Sequence, residues 1–225
     1  MEIIKHTLAA LALTTSLVPT QSIDLTNWKL TLPTKEATEI TQPQLAEYES
    51  SYFTKTEKGI VFVAPVSGGS TKNSKYPRSE LREMDGLEKA AWTNTKGIHT
   101  MTIVQSIDHT PVVKPHVVAG QIHDADDDVV MIRLEGTHLF VEAQGEELET
   151  LDANYKLGSV FTTKMVASGG RIKIFHNGKQ MLNYKRKVEG GYFKSGSYCQ
   201  SNMEKGDKPG AYCQVTVYDL KVSHD

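Results

Sequence analysis

The chain has 225 residues, of which 39% are hydrophobic and 23% are charged. These values are typical of one globular domain with a buried core and at most a short appendage. The 25 Lys and Arg residues nearly balance the 27 Asp and Glu residues, which gives a net charge of −2. This balance excludes a strongly basic nucleic-acid-binding protein, but it allows an anionic ligand wherever cations gather in a cleft.

The N-terminal segment, MEIIKHTLAALALTTSLVPTQS, has the pattern of a secretory signal peptide. Lys5 precedes an apolar run from Leu8 to Leu17, and small or polar residues follow. The run is too short to span a bilayer. We therefore predict a signal peptide over residues 1–22, one domain over residues 23–225, and a secreted monomer with no membrane or nucleic-acid partner. A buried N-terminal helix is the alternative.

The rest of the chain has the pattern of short strands rich in Val, Ile, Tyr, Phe and Thr, separated by turns that contain glycine. The clearest turn is Asn177-Gly178, a pair typical of a type I′ hairpin. A short helix is plausible only over residues 42–48. We predict strands over residues 27–32, 59–64, 78–84, 99–107, 117–123, 129–135, 138–143, 159–167, 171–176, 179–184, 192–200 and 212–222. This organisation predicts an all-β fold, a jelly-roll β-sandwich.

Three predicted strands carry their polar side chains on one face, because successive side chains of a strand point to opposite faces. The segments are YPRSELREM, GQIHD and GYFKSGSYCQ. The shared faces hold Arg78, Glu80 and Arg82, then Gln121 and His123, then Tyr192, Lys194, Tyr198 and Gln200. Each face alone is typical of a solvated strand surface. On neighbouring strands, however, they would line a groove for a hydrophilic, extended, anionic polymer, since guanidinium groups bind carboxylates and tyrosine rings stack on sugars.

The segments RSELR, QIH and YFKSGSYCQ, in this order, resemble the three signature regions of the alginate lyases of polysaccharide lyase family 7. TNWKLTLP and VTVYDLKV resemble the terminal strands of that family, so the resemblance covers essentially all of residues 23–225. It implies a β-jelly roll of two curved antiparallel sheets. It also implies a catalytic domain that cleaves alginate, a 1,4-linked uronate polymer, by β-elimination to unsaturated oligosaccharides without a cofactor.

The resemblance also implies roles for individual side chains. Arg78, Gln121 and His123 would surround the substrate carboxylate, and Tyr198 would serve as acid and as base. The remaining groove residues would bind substrate: Glu80, Arg82, Tyr192, Lys194 and Gln200. Glu80 is expected to orient Arg78 and Arg82 rather than to do chemistry. His123 as the base for one uronate epimer is a further hypothesis.

The resemblance extends to substrate choice through the middle residue of QIH, Ile122. In the family, an isoleucine at this position accompanies acceptance of guluronate-containing blocks. We therefore expect guluronate-containing alginate to be cleaved. Cleavage within the polymer chain rather than from its ends is a separate expectation.

Cys199 and Cys213 are the two cysteines of the sequence. In a secreted protein we expect them to form a disulfide, which would stabilise the fold by about 3 kcal/mol in the chain-entropy model. Two buried free thiols are the alternative, because the sequence does not show how far apart the two Cβ atoms lie.

Two other functions fit parts of the sequence. EMDGLE matches a glycoside hydrolase pattern with Glu83 as nucleophile and Glu88 as acid/base, but Glu83 alternates with the groove residues and so faces the other way. A non-catalytic carbohydrate-binding module on the same fold is the second alternative. DADDD, residues 124–128, lacks the spacing of a known calcium loop, so we expect a solvated loop and no metal site.

Overall fold

The structure, a computed structural model, describes residues 23–225. These residues form two antiparallel β-sheets that enclose one hydrophobic core, which confirms the predicted all-β sandwich. The predicted signal peptide lies outside the described residues. Within residues 23–225, no helix combines the length and the apolar character that a membrane crossing requires.

The strands follow one another in the chain with short connections. Their bounds are β1 Trp28–Leu32, β2 Thr38–Ile40, β3 Phe53–Thr56, β4 Gly59–Pro65, β5 Arg78–Asp85, β6 Glu88–Lys89, β7 Ile98–His109, β8 His116–His123, β9 Asp128–Glu135, β10 His138–Ala143, β11 Glu146–Asp152, β12 Phe161–Ser168, β13 Arg171–His176, β14 Lys179–Lys185, β15 Tyr192–Cys199 and β16 Tyr212–His224. A four-residue helix, α1 Gln44–Glu47, and a 3₁₀ turn at Met203–Lys205 complete the described elements.

The nine-stranded sheet, called sheet 1, has the order β11-β10-β9-β8-β15-β5-β1-β2, with β6 paired to β5. The seven-stranded sheet, called sheet 2, has the order β14-β13-β12-β7-β16-β4-β3. In sheet 1, β15 lies between β8 and β5. The three strands that carry the predicted groove residues are therefore direct neighbours, although they are far apart in the sequence.

Every predicted strand is present, and the Asn177-Gly178 turn has the positive φ angles, 48° and 82°, of a type I′ hairpin. The sequence analysis missed β2, β3, β6 and β11. All four lie at sheet edges or pair with a single neighbour. Such strands tolerate charged side chains on both faces, so their alternation is weak. β11, with the sequence EELETLD, is the clearest case.

The core determines which side chains of sheet 1 face outward. Leu81 of β5, Ile122 of β8 and Phe193 of β15 are fully buried against the inner face of sheet 2. Burying each such side chain stabilises the fold by about 1.5–3 kcal/mol. Because a register slip of one residue would turn these side chains out to solvent, the core also holds the polar residues between them on the opposite face.

A disulfide joins the two sheets. Cys199 at the end of β15 is bonded to Cys213 at the start of β16, with 5.4 Å between the two Cα atoms. This confirms the predicted pairing and excludes the free-thiol alternative. Because Cys199 follows Tyr198 directly, the bond anchors the strand that carries the predicted catalytic tyrosine.

A second connection between the sheets is a hydrogen-bonded cluster around Glu83, whose side chain is buried. Its carboxylate accepts hydrogen bonds from Trp92 Nε1 at 3.0 Å, from the Phe193 amide at 2.8 Å and from His224 Nε2 at 2.6 Å. His224 Nδ1 lies 2.8 Å from His99 Nδ1. His99 Nε2 faces two backbone carbonyls, which only accept, so Nε2 carries a hydrogen. In a neutral His99 ring Nδ1 then accepts from His224 Nδ1, and His224 donates from both of its nitrogens. His224 is therefore the charged member of the cluster.

The first prediction concerns the pH dependence of this cluster. The hydrogen bond to Glu83 raises the pKa of His224, with smaller contributions from Asp85 and Asp225. A raised folded-state pKa stabilises the fold below the unfolded-state pKa, and this stabilisation is lost as pH rises through the folded-state value. His224→Ala should therefore lower the free energy of unfolding more at about pH 5.5 than at about pH 9.

Urea denaturation of the wild type and the variant at both pH values measures this difference. The same comparison in a Glu83→Gln background serves as the control, because the dependence on pH should shrink once the carboxylate is gone. An effect of His224→Ala that is equal at both pH values would contradict the charged cluster.

Candidate active site

A cleft of about 310 Å³ opens on the outer face of sheet 1. Its floor comes from β1, β5, β8 and β15, and its rims come from the loop between β4 and β5 and from the loop after β8. The cleft-lining residues that the sequence analysis predicted are Arg78, Arg82, Gln121, His123, Tyr192, Lys194 and Tyr198. The structure thus brings together most of the predicted groove.

Strand register places the side chains of the floor in rows. Arg82 lies opposite Lys29 on one side and opposite Lys194 on the other, and Lys194 in turn lies opposite Gln121. A second row pairs Tyr198 with Arg78, and a third pairs Tyr192 with His123. Because cross-strand partners on one face are in contact distance, each row acts as a continuous polar surface.

The cations of the floor are held by one buried carboxylate. Glu80 is 1% exposed, and its Oε2 lies 3.0 Å from Arg78 Nη1 and 2.6 Å from Lys194 Nζ. The amide of Gln121 donates to the other carboxylate oxygen. The expectation that Glu80 contacts Arg78 is confirmed, but its second cation is Lys194 and not Arg82.

The charges of this group follow from burial and pairing. Burial alone would raise the pKa of Glu80, but Lys194 and Arg78 outweigh it and hold that pKa below its usual value. Burial lowers the pKa of Lys194 to about 8, against the attraction of Glu80. At neutral pH the carboxyl is therefore ionised and the amine is still mostly protonated. The group keeps one positive charge in excess, although the chain as a whole carries −2.

Gly196 occupies the position directly opposite Glu80. Its φ is +136°, and a Cβ atom there would lie 2.6 Å from the carbonyl oxygen of Ser79. Between Ser195 and Tyr198 the register of β15 shifts relative to β8, which is a β-bulge. Glycine is thus required where β15 bends, and the bend sets the direction of Tyr198.

Tyr198 lies beneath positive charge. The guanidinium carbon of Arg78 is 3.7 Å from the centre of its ring, and Lys194 Nζ is 6.0 Å from the same point. Its hydroxyl oxygen is 2.9 Å from Ser74 Oγ. Both cations thus lie near the tyrosine ring, and Arg78 is within cation–π distance of its face.

His123 is oriented by a stack and by a backbone carbonyl. Its ring packs on Tyr192 with 5.1 Å between ring centres. The guanidinium carbon of Arg82 lies 3.8 Å from the centre of the Tyr192 ring. His123 Nδ1 is 2.8 Å from the carbonyl oxygen of Asp124, which only accepts, so Nδ1 carries the hydrogen and Nε2 the lone pair. Burial lowers the pKa of His123. The neutral ring therefore offers an unprotonated nitrogen near neutral pH.

Arg82 is held independently of Glu80. Its Nη1 donates to the carbonyl oxygen of Glu83 at 3.1 Å, and its guanidinium group stacks on Tyr192. Gln200 lies beyond the end of β15, is 7% exposed, and is not among the residues that line the cleft. Its assignment to substrate binding stays a prediction.

Some cleft residues were not found from the sequence. They are Lys29, Thr31, Glu39, Lys89, Thr71, Asn73, Ser74 and Ala125–Asp128. Lys29 and Thr31 alternate with core residues in a correctly predicted strand, so alternation offered a signal for them. The loop residues have no such signal, because the local sequence does not indicate which part of the sheet a loop packs against.

The acidic loop after β8 forms one rim of the cleft. Asp124 Oδ1 accepts the backbone amides of Asp126 and Asp127, each at 3.0 Å, so the loop forms a tight turn. Burial and the neighbouring Asp127 raise the pKa of Asp128 to about 6. Among the residues that the structure describes, no group of His, Cys, Asp and Glu side chains is arranged to hold a metal ion.

The hydrolase alternative fails on geometry. Glu83 lies on the core side of β5 and is fully engaged by Trp92, Phe193 and His224, and Glu88 is exposed. A second cavity, of about 430 Å³, lies beside Glu83. The carboxylate and imidazole groups of this second cavity already bond to each other. The cleft on sheet 1 is therefore the better candidate for the active site.

Comparison with known proteins decides the family. A family model described as alginate lyase matches residues 23–224. The chain belongs to this alginate lyase family. It is thus a polysaccharide lyase, and the non-catalytic binding module is set aside. An alginate lyase from Klebsiella pneumoniae is 26% identical over an alignment 282 positions long. The alignment covers 92% of this chain and 91% of that protein.

Solved structures agree with this assignment. Alginate lyase AlgAT5 from polysaccharide lyase family 7 is 56% identical, with a TM-score of 0.89 over 93% of this chain and 100% of that chain. The alginate lyase from Corynebacterium sp. is 43% identical, with a TM-score of 0.87 over 92% of this chain and 98% of that chain. The resemblance inferred from the three motifs is confirmed at the level of family and fold.

The second prediction concerns Glu80. Glu80→Ala leaves Arg78 and Lys194 without their buried anion, and such a loss lowers the free energy of unfolding by about 3–5 kcal/mol. Asp219→Ala is the control, because Asp219 pairs with Lys221 at 2.8 Å and both side chains are exposed. The control should change stability by about 1 kcal/mol or less. Urea denaturation measures both, and equal losses would contradict the role of Glu80.

Proposed function

We propose that this alginate lyase cleaves guluronate-containing alginate within the polymer chain, as a secreted monomer, with Tyr198 as its proton-transferring group. The observation that carries the chemistry is the position of the Tyr198 ring against Arg78, in one cleft with Lys194, Gln121 and His123. Secretion rests on the N-terminal sequence pattern. Guluronate acceptance rests on the motif resemblance, in which Ile122 is the relevant residue.

The chemical difficulty is the proton on C5 of the uronate. The adjacent carboxylate is already negative, so removing this proton requires groups that stabilise a second negative charge. Arg78 and Lys194 supply positive charge, and Gln121 supplies an amide held by Glu80. The cleft is built before substrate arrives, since Glu80 fixes all three side chains.

The elimination then needs one group to take a proton and one to give it. A base removes the C5 proton, the bonding electrons form the C4–C5 double bond, the bond from C4 to the glycosidic oxygen breaks, and that oxygen takes up a proton. Tyr198 Oη serves as the acid. For a C5 proton on the side of Tyr198, the same oxygen serves as base, and for the opposite epimer the base is His123 Nε2.

Substrate complexes of a related enzyme support a uronate ligand. The alginate lyase A1-II′ is 29% identical, and variants of it have been solved with the product GGG and with the substrate GGMG. The cleft on sheet 1 of this chain is lined by two arginines, three lysines and two tyrosines. An extended anionic sugar chain fits this combination of cations and rings.

The third prediction tests the reaction and its catalytic group. Purified protein is incubated separately with polyguluronate, polymannuronate and pectate while ultraviolet absorbance is recorded, because β-elimination creates a conjugated double bond that hydrolysis does not. We expect absorbance to rise with alginate polymers, fastest with guluronate, and not with pectate. Tyr198→Phe should reduce kcat by about 10²-fold or more with either polymer.

His123→Ala in the same assay separates the two bases. It should reduce kcat much more for one polymer than for the other, since only one epimer depends on it. Tyr212→Phe is a matched tyrosine control outside the cleft and should retain activity, because its ring stacks on His109. Absence of any absorbance change with folded wild-type protein would overturn the proposed function.

A further inference from the structure

Ser74 contacts the proposed catalytic hydroxyl from outside the sheet. It lies in the loop over residues 66–77, between β4 and β5, and its Oγ is 2.9 Å from Tyr198 Oη. No sequence motif pointed to it. The loop is held near this position by Asn202, which donates to the carbonyl oxygen of Lys75 at 3.0 Å, and by Lys114, which donates to Tyr76 Oη at 3.0 Å.

The remaining bonds of the Ser74 hydroxyl group determine what it can do. Oγ accepts the backbone amide of Tyr76 at 3.0 Å, and it lies 3.2 Å from the carbonyl oxygen of the same residue. A serine hydroxyl has one hydrogen, which rotates freely about the Cβ–Oγ bond. That hydrogen has two acceptors in reach: the Tyr76 carbonyl oxygen and Tyr198 Oη.

This arrangement satisfies both protonation states of Tyr198. When Tyr198 is a neutral phenol, it donates to Ser74 Oγ, and Ser74 donates to the Tyr76 carbonyl. When Tyr198 is a phenolate, the serine hydrogen rotates and donates to the phenolate oxygen. No heavy atom has to move between the two states.

We propose that Ser74 is a positioning residue for the β-elimination, which holds Tyr198 Oη in place and stabilises its anionic form through a rotating hydrogen. The proposal rests on the proposed function, because it assigns Ser74 a part in the proton transfers of Tyr198. A hydrogen bond to a charged oxygen is about twice as strong as one between neutral groups. Ser74 therefore favours the state in which Tyr198 accepts the C5 proton.

Other charged groups surround the tyrosine, but they are tied elsewhere. Arg78 and Lys194 both share the Glu80 carboxylate, and the Lys114 amine is bound to Tyr76. Glu80 pairs with Arg78 and Lys194 below the cleft. The titratable and charged groups that line the cleft with Tyr198 are Lys29, Glu39, Arg78, Arg82, Lys89, His123, Asp126, Asp127, Asp128, Tyr192 and Lys194. Among the described residues, Ser74 is the one whose side chain hydrogen-bonds to Tyr198 Oη.

The test is the pH dependence of kcat and KM for Ser74→Ala, measured by the appearance of unsaturated ends on the polymer for which Tyr198 is the base. We expect kcat to fall about tenfold or more and KM to stay within about twofold. The rising acid limb of the pH profile should move to higher pH, because the phenolate loses a donor. Ser74→Thr, which keeps the hydroxyl group, should recover most of kcat and the wild-type profile.

Ser70→Ala is the matched control, since Ser70 is an exposed serine of the same loop and its side chain makes no hydrogen bond to another described residue. It should leave kcat and the pH profile unchanged. An unchanged profile in Ser74→Ala, a loss confined to KM, or equal losses in the alanine and threonine variants would each overturn the role of Ser74 alone. A wild type that forms no unsaturated product would overturn the proposed function itself.

Discussion

The active cleft depends on one buried negative charge. Glu80 is almost completely removed from solvent, and an unpaired carboxylate in such a place would cost the fold several kcal/mol, on the order of 3–5. Arg78, Lys194 and Gln121 offset that cost by bonding to it directly. The same bonds fix the positions of three groups from three strands. Stability and the geometry of the cleft thus have a common origin, and the excess positive charge faces the ligand.

The sandwich makes this arrangement possible because each strand serves two surfaces. Leu81, Ile122 and Phe193 secure the inner face of sheet 1, and the residues beside them are thereby directed outward. The disulfide at Cys199 and the bulge at Gly196 then adjust the end of β15 where Tyr198 lies. The proposed catalytic side chains therefore lie on strands, and the loop over residues 66–77 brings Ser74 to Tyr198 from the side.

Alternation and turn composition were sufficient to predict the central strands and the outward face of the cleft. The alternation of Leu81 with Glu80 and Arg82 is enough to place Leu81 in the core and the two charged side chains on the outer face. The second cation that pairs with Glu80 could not be predicted from the sequence, because Arg82 on the same strand and Lys194 on another strand both fit. Only the register of β15 against β5, with Gly196 opposite Glu80, selects Lys194. Ser74 was beyond prediction for the same reason, since its contact with Tyr198 joins positions 124 residues apart.

The measurement that tests this account most directly is the pH titration of the Glu80 carboxyl carbon by nuclear magnetic resonance. Protein labelled with carbon-13 in its glutamate side chains is compared with Glu80→Gln to assign the signal. Because Lys194 and Arg78 hold the pKa of Glu80 below its usual value, we expect a carboxyl group that stays ionised from about pH 5 to about pH 9 and titrates below the usual glutamate range. A Glu80 signal that titrates above about pH 5 would show a protonated side chain, and it would contradict the buried anion on which the cleft depends.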